Sequence, residues 1–64
     1  MNDLEKVFIE MMVTTDEECR DDAEAWHYRA DAVVVAAMLL GHMLSKKVRR
    51  EIANWFAKGA RHYA

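Results

Sequence analysis

The sequence has no proline and only two glycines, Gly41 and Gly59. A fold of many short strands needs frequent turn residues, so their scarcity excludes that class and leaves helix as the simplest state. A single cysteine, Cys19, excludes an intrachain disulfide, and no Cys/His cluster has the spacing of a structural zinc site. Long apolar runs are also missing. The longest, Ala32 to Leu44, is 13 residues interrupted by His42, and a membrane span needs about 20. The first residues are acidic rather than basic, unlike a secretory leader, and a free thiol suits a reducing compartment. A cytoplasmic location is therefore expected, with no membrane partner.

What is present is a 64-residue chain that is 53% hydrophobic, too apolar for a disordered segment. A single domain over 1–64 is expected. A domain this small buries only about 60% of the surface its unfolded chain exposes. Without disulfide or metal, self-association is the remaining source of stability.

Charge is unevenly placed. Residues 1–24 hold nine acids against Lys6 and Arg20, a balance of −7, and residues 25–64 hold seven bases against Asp31 and Glu51, a balance of +5. The formal total of −2 hides this dipole. Such asymmetry can guide a protein partner, a nucleic acid or head-to-tail pairing of two copies.

Two or three helices are expected. Leu4, Val7, Phe8, Met11 and Met12 form one apolar stripe behind a capping box of Asn2 and Glu5, which predicts a helix over about 3–12 that Val13 and Thr14 break. Thr15-Asp16-Glu17-Glu18 reads as a second capping box, with acids suited to the positive end of a helix, and opens a long helix over about 16–44. Within it Cys19, Ala23, Trp26, Ala30, Val33, Ala37, Leu40 and Leu44 recur at steps of four and three, a heptad seam with a narrow alanine edge. Val33-Val34-Val35 favours strand locally, but flanking Ala, Met and Leu without turn residues argue for helix. From Ala32 to Leu40 the helix is apolar all round, so burial on several sides is expected. Beyond Leu44 the seam would place Lys47 and Glu51 in the core, so the register must change. Ser45 is a candidate cap for a third helix over about 46–58, with Val48, Ile52, Trp55 and Phe56 on one face and Gly59 as its terminator. Alternatively the second helix runs on with a kink.

The chemistry is sparse. Glu24-Ala25-Trp26-His27 has the Glu-x-x-His spacing of di-iron bundles, but the further Glu ligands on other helices cannot be identified. Glu17, Glu18 and Asp21 lie one turn apart, as in magnesium-dependent all-α pyrophosphatases, yet no second acidic pair follows. Cys19 falls on the seam, where a buried thiol is the ordinary role, and His42 is expected in the core or an interface. Lys46-Lys47-Val48-Arg49-Arg50 with Trp55 and Phe56 one turn on suits phosphates and unpaired bases, although the rings fall on the apolar stripe. No catalytic residue, cofactor or metal is expected.

The sequence thus predicts an all-α chain whose long central helix pairs with its mate in a homodimeric bundle through Trp26, Ala30, Val33, Ala37, Leu40 and Leu44. The function it favours is a non-enzymatic protein-interaction module, such as a small phage or mobile-element inhibitor that binds and blocks a host protein. Partner contact is assigned to an acidic face (Asp16, Glu17, Asp21, Asp22 and Glu24) or to the basic cluster (Lys46, Lys47, Arg49 and Arg50). The alternative is a small regulatory DNA- or RNA-binding dimer using the basic cluster.

Overall fold

The computed structural model describes residues 1–64 and is all-α, with three helices and no strand. Helix α1 spans Asp3–Glu18, α2 spans Ala23–Leu40, and α3 spans Lys46–His62, with a 3-10 turn at Gly41–Met43 between the last two.

Helix α1 starts as the sequence predicts. The Asn2 side chain accepts from the Glu5 amide at 2.8 Å and Glu5 Oε1 accepts from the Asn2 amide at 3.0 Å. It does not stop at Met12. The Thr14 and Thr15 hydroxyls donate to the carbonyls of Glu10 and Met11, both at 2.7 Å, so each is satisfied inside a continuous helix. Thr15 is 1% exposed, on the buried face that also carries Phe8, Met12 and Cys19. The expected capping box at Thr15 is therefore helix interior, and the expected second helix from residue 16 begins seven residues later, at Ala23. Its cap is Asp22, whose carboxylate accepts from the Ala25 amide at 3.0 Å.

Helices α2 and α3 are separate. α2 ends at Leu40, the 3-10 turn follows, and Leu44 is extended (φ −111°, ψ 143°), which re-aims the chain. Ser45 then caps α3 as expected, accepting from the Val48 amide at 3.2 Å. Gly59 is not a terminator: α3 continues to His62.

The core has two parts. Phe8, Met12, Val33, Leu44, Val48 and Ile52 form the larger. Cys19, Trp26 and Ala30 form the smaller, with Trp55 packed against both. Trp26 is completely buried. Around its ring lie Trp55 (centroids 5.4 Å apart), Phe56 (6.1 Å) and Tyr63 (5.0 Å). Gly59 lets α3 approach: a Cβ there would fall 1.9 Å from Trp26 Cζ2. Past Gly59, Arg61 and His62 are exposed on the last turn of α3, and Tyr63 docks: it stacks on Trp26 and its hydroxyl donates to the Arg20 carbonyl at 3.3 Å.

Four of the six residues assigned to a dimer seam, Trp26, Ala30, Val33 and Leu44, are thus buried inside one chain, and Ala37 and Leu40 are half-buried. Only the part from Trp26 to Leu40 is a face of one helix, and α1 and α3 cover it; Cys19 ends α1, Ala23 is exposed, and Leu44 enters the core from the extended segment before α3. The sequence periodicity identified an inward face and could not say whose helices lie on it. The surface is 4600 Å², against about 4200 Å² for a compact monomer of this mass, so the chain keeps more surface than a rounded globule.

Candidate interaction surface

Three sets of side chains remain to be placed: the acids of residues 16–24, the bases of residues 46–50, and the apolar residues of α2 that face away from the seam.

The acids do not form one free face. Asp16, Glu17 and Glu18 sit in the last turn of α1, where a helix end disfavours negative charge. Asp16 is tied down by both tryptophans: its Oδ1 accepts from Trp26 Nε1 at 3.0 Å and from Trp55 Nε1 at 3.1 Å, and its Oδ2 accepts from Trp55 at 3.0 Å. Through that carboxylate α1 is linked to α2 and α3. Glu18 accepts from Arg29 Nη1 at 2.7 Å, the single ion pair of the molecule, and this bond holds the guanidinium above its ordinary pKa. Asp22 caps α2. That leaves Glu17, Asp21 and Glu24 exposed and free at the α1/α2 end.

Lys46, Lys47, Arg49 and Arg50 are all exposed in the first turns of α3, with no carboxylate within ion-pair distance. Four cations at a helix N-terminus oppose its dipole. Glu5 is what offsets them. Buried between α1 and the start of α3, it accepts from the Ser45 amide through Oε2 at 2.7 Å while holding the Asn2 amide through Oε1. One carboxylate therefore serves two helix N-termini. Its pKa is lowered from the ordinary 4.5, first by the Ser45 amide and then by that of Asn2. Trp55 and Phe56 lie half-buried against Trp26 rather than beside the cations, so the aromatic partners expected for stacking bases face inward.

The remaining candidates are dispersed. His27 is edge-on to Trp26, with Nε2 3.1 Å from the Tyr63 carbonyl oxygen. Cys19 is buried, with Arg29 Nη1 3.7 Å from its sulfur. His42, expected in the core or an interface, is exposed in the 3-10 turn. No three His, Cys, Asp or Glu side chains gather as a metal-binding group, and no helix is long and apolar enough to cross a membrane.

The outward face of α2 is where the apolar residues collect. Tyr28 is 79% exposed, Val35 54%, Met38 78% and Leu39 72%. At 100° per residue these four lie within about a third of the helix circumference, opposite Trp26, Ala30, Val33 and Ala37. Beside them, α2 and α3 enclose an open groove of about 410 Å³ lined by Val34, Ala37, Met38, Ile52 and Phe56, with Arg49 at its edge. The all-round apolar stretch of α2 foretold burial on several sides, and one side has no cover within the chain. Its signal was already in the sequence, in Val35, Met38 and Leu39 on the helical face opposite the seam, but the seam drew the assignment of an interface to the other side.

Comparison with protein-family models, with curated proteins and with solved structures finds no match.

Proposed function

We propose that the chain is a non-enzymatic protein-interaction module that binds through the outward face of α2. The observation that carries this reading is the row Tyr28, Val35, Met38 and Leu39, large apolar side chains exposed on one helix face. Scattered apolar residues are ordinary on a protein surface, whereas several large ones on one helix face, here with Asp31 between Tyr28 and Val35, mark a contact site. The borders here are Glu24 at one end and the Lys46–Arg50 cations at the other. A chain this small acts by occupying a partner's surface, as an adaptor or as an inhibitor that blocks a host protein. The free charges then select the partner and the apolar row supplies the buried area.

A photo-crosslinking residue at Met38, compared with one at Lys6 on α1, tests this reading in a lysate of the source cell. Protein adducts at Met38 and none at Lys6 are expected. Absence of any adduct at Met38, with a second copy or with another protein, removes the interaction-module reading.

The unpaired cations favour one second reading, a phosphate contact to DNA or RNA. It predicts retention on nucleic acid that falls steeply with salt and disappears when Lys46, Lys47, Arg49 and Arg50 become glutamate. Retention that survives those changes, or none at low salt, rules it out.

A further inference from the structure

We infer that the partner of the outward α2 face is a second copy of this chain, bound antiparallel about a twofold axis near Val35; the inference rests on the interaction-module reading. Helix α2 has 18 residues, which makes it about 27 Å long. In a molecule of 31 × 17 × 16 Å it can only run along the long axis. Its two ends are therefore the two ends of the molecule, and the residues that flank α2 in sequence differ in charge there, while the last turns of α3 bring the exposed Lys58 and Arg61, with Arg20, to the acidic end. Glu17, Asp21 and Glu24 lie at the start of α2, and Lys46, Lys47, Arg49 and Arg50 lie just past its end, none of them in an ion pair within the chain.

Two copies placed parallel through this face would set acid on acid at one end and base on base at the other. They would also bring Asp31, the one carboxylate among the apolar residues of the face, against its own copy. Antiparallel pairing reverses all three relations. Acidic and basic ends meet twice, as a twofold axis requires, and each Asp31 is directed toward the other copy's basic end.

Shape agrees with charge. Tyr28 projects from the acidic end, and the groove between α2 and α3 opens in the half nearer the basic end, beside Met38 and Gly41. In the antiparallel arrangement the ring of each copy lies toward the groove of the other, while in the parallel one ring meets ring. Val35 is midway between Glu24 and Lys46, and the small Ala32 beside it lets the two helix backbones approach closely. The lower bound for a stable dimer, about 600 Å² per copy, is roughly an eighth of the 4600 Å² surface. A face running the length of the molecule can supply it.

The test is sedimentation equilibrium of the intact chain at low ionic strength, with helicity checked by circular dichroism. The wild type is expected at twice 7.4 kDa, and Met38→Asp with Leu39→Asp at the monomer mass with unchanged helicity, because both side chains are exposed. Asp21→Lys with Glu24→Lys should weaken the dimer about tenfold. Lys46→Glu with Arg50→Glu should do the same, and all four changes in one chain should restore it. Parallel pairing predicts no weakening from either single-end reversal and no rescue, so that pattern overturns the antiparallel geometry. A wild type that remains a monomer at high micromolar concentration overturns the self-partner. The Met38 crosslinker then separates the two failures: an adduct with a different protein leaves the interaction-module reading standing, and no adduct removes both.

Discussion

The two glycines offer the same substitution with opposite expected signs. At Gly59 a Cβ would sit 1.9 Å from Trp26 Cζ2 and 2.2 Å from Cη2. The ring cannot simply swing away, because it is wholly buried and packed against Trp55, Phe56 and Tyr63. Gly59→Ala must therefore push α3 off α2, an overpacking cost of about 3 kcal/mol, offset by about 1 kcal/mol of better helix propensity. A net loss of about 2 kcal/mol lowers the melting temperature of a domain this size by roughly 10 °C. Gly41 is the control. Its backbone is right-handed helical (φ −56°, ψ −32°), and an added Cβ meets only Arg49 Cδ at 3.7 Å, an ordinary contact. Gly41→Ala should stabilise by about 0.5–1 kcal/mol, chiefly through the unfolded chain. Urea melts followed by circular dichroism and tryptophan fluorescence read both. A Gly59→Ala chain as stable as the wild type, or a destabilised Gly41→Ala chain, would refute the packing of α3 on Trp26 or the course of the turn.

Other substitutions probe the remaining joints. Asp16→Ala leaves the buried Trp26 indole N–H without an acceptor and should cost about 1–3 kcal/mol, with altered near-ultraviolet dichroism; unchanged stability would mean that Asp16 does not hold the two rings. Thr15→Val keeps shape and loses only a bond back to Met11, so a change within about 0.5 kcal/mol is expected. Asp22→Ala should cost about 1 kcal/mol as the loss of a helix cap. The reverse ranking would restore Thr15 as the start of the second helix. For Glu5, the folded-state pKa lies below the ordinary 4.5, so its contribution is complete above that pH and is lost as pH falls through the folded value. Glu5→Gln should therefore be less stable than the wild type at neutral pH, with the gap closing as the pH falls below 4.5 and through the lower folded-state pKa. A gap independent of pH would show that the carboxylate charge at the two helix N-termini is not what stabilises them.

Where the sequence was legible, short-range chemistry decided the structure. The Asn2/Glu5 box, the Ser45 cap and the Val48/Ile52 stripe each depend on residues within four positions, and the fold keeps all three. The misreadings share a cause. Thr15-Asp16-Glu17-Glu18 has every local mark of a helix start, and the chain ignores it because Thr15 fills the gap between Met12 and Cys19 on the buried face of α1. Gly59 has the mark of a helix end, and Trp26, 33 positions away in sequence, turns it into a contact. In both places a tertiary contact overrides a local preference of about 1 kcal/mol.

The same override explains how acids come to stand at the wrong end of a helix and bases at the wrong end of another. Asp16 and Glu18 at the C-terminal turn of α1 would be unfavourable in an isolated helix, and here two indoles and Arg29 take them up. The cations at the start of α3 form no ion pair, neither with Glu51 one turn on from Lys47 nor with Glu5, which bonds to the backbone and not to their side chains. The fold thus sorts the acidic cluster into charges that join helices and charges that face solvent, and it leaves the basic cluster wholly in the second group. Selection for stability alone gives no reason for Lys46, Lys47, Arg49 and Arg50 together in a first turn, since neutral residues there would suit the helix better. Their placement beside an uncovered apolar row is intelligible if they meet carboxylates supplied from outside the chain, and Glu17, Asp21 and Glu24 of a second copy are carboxylates in the matching position.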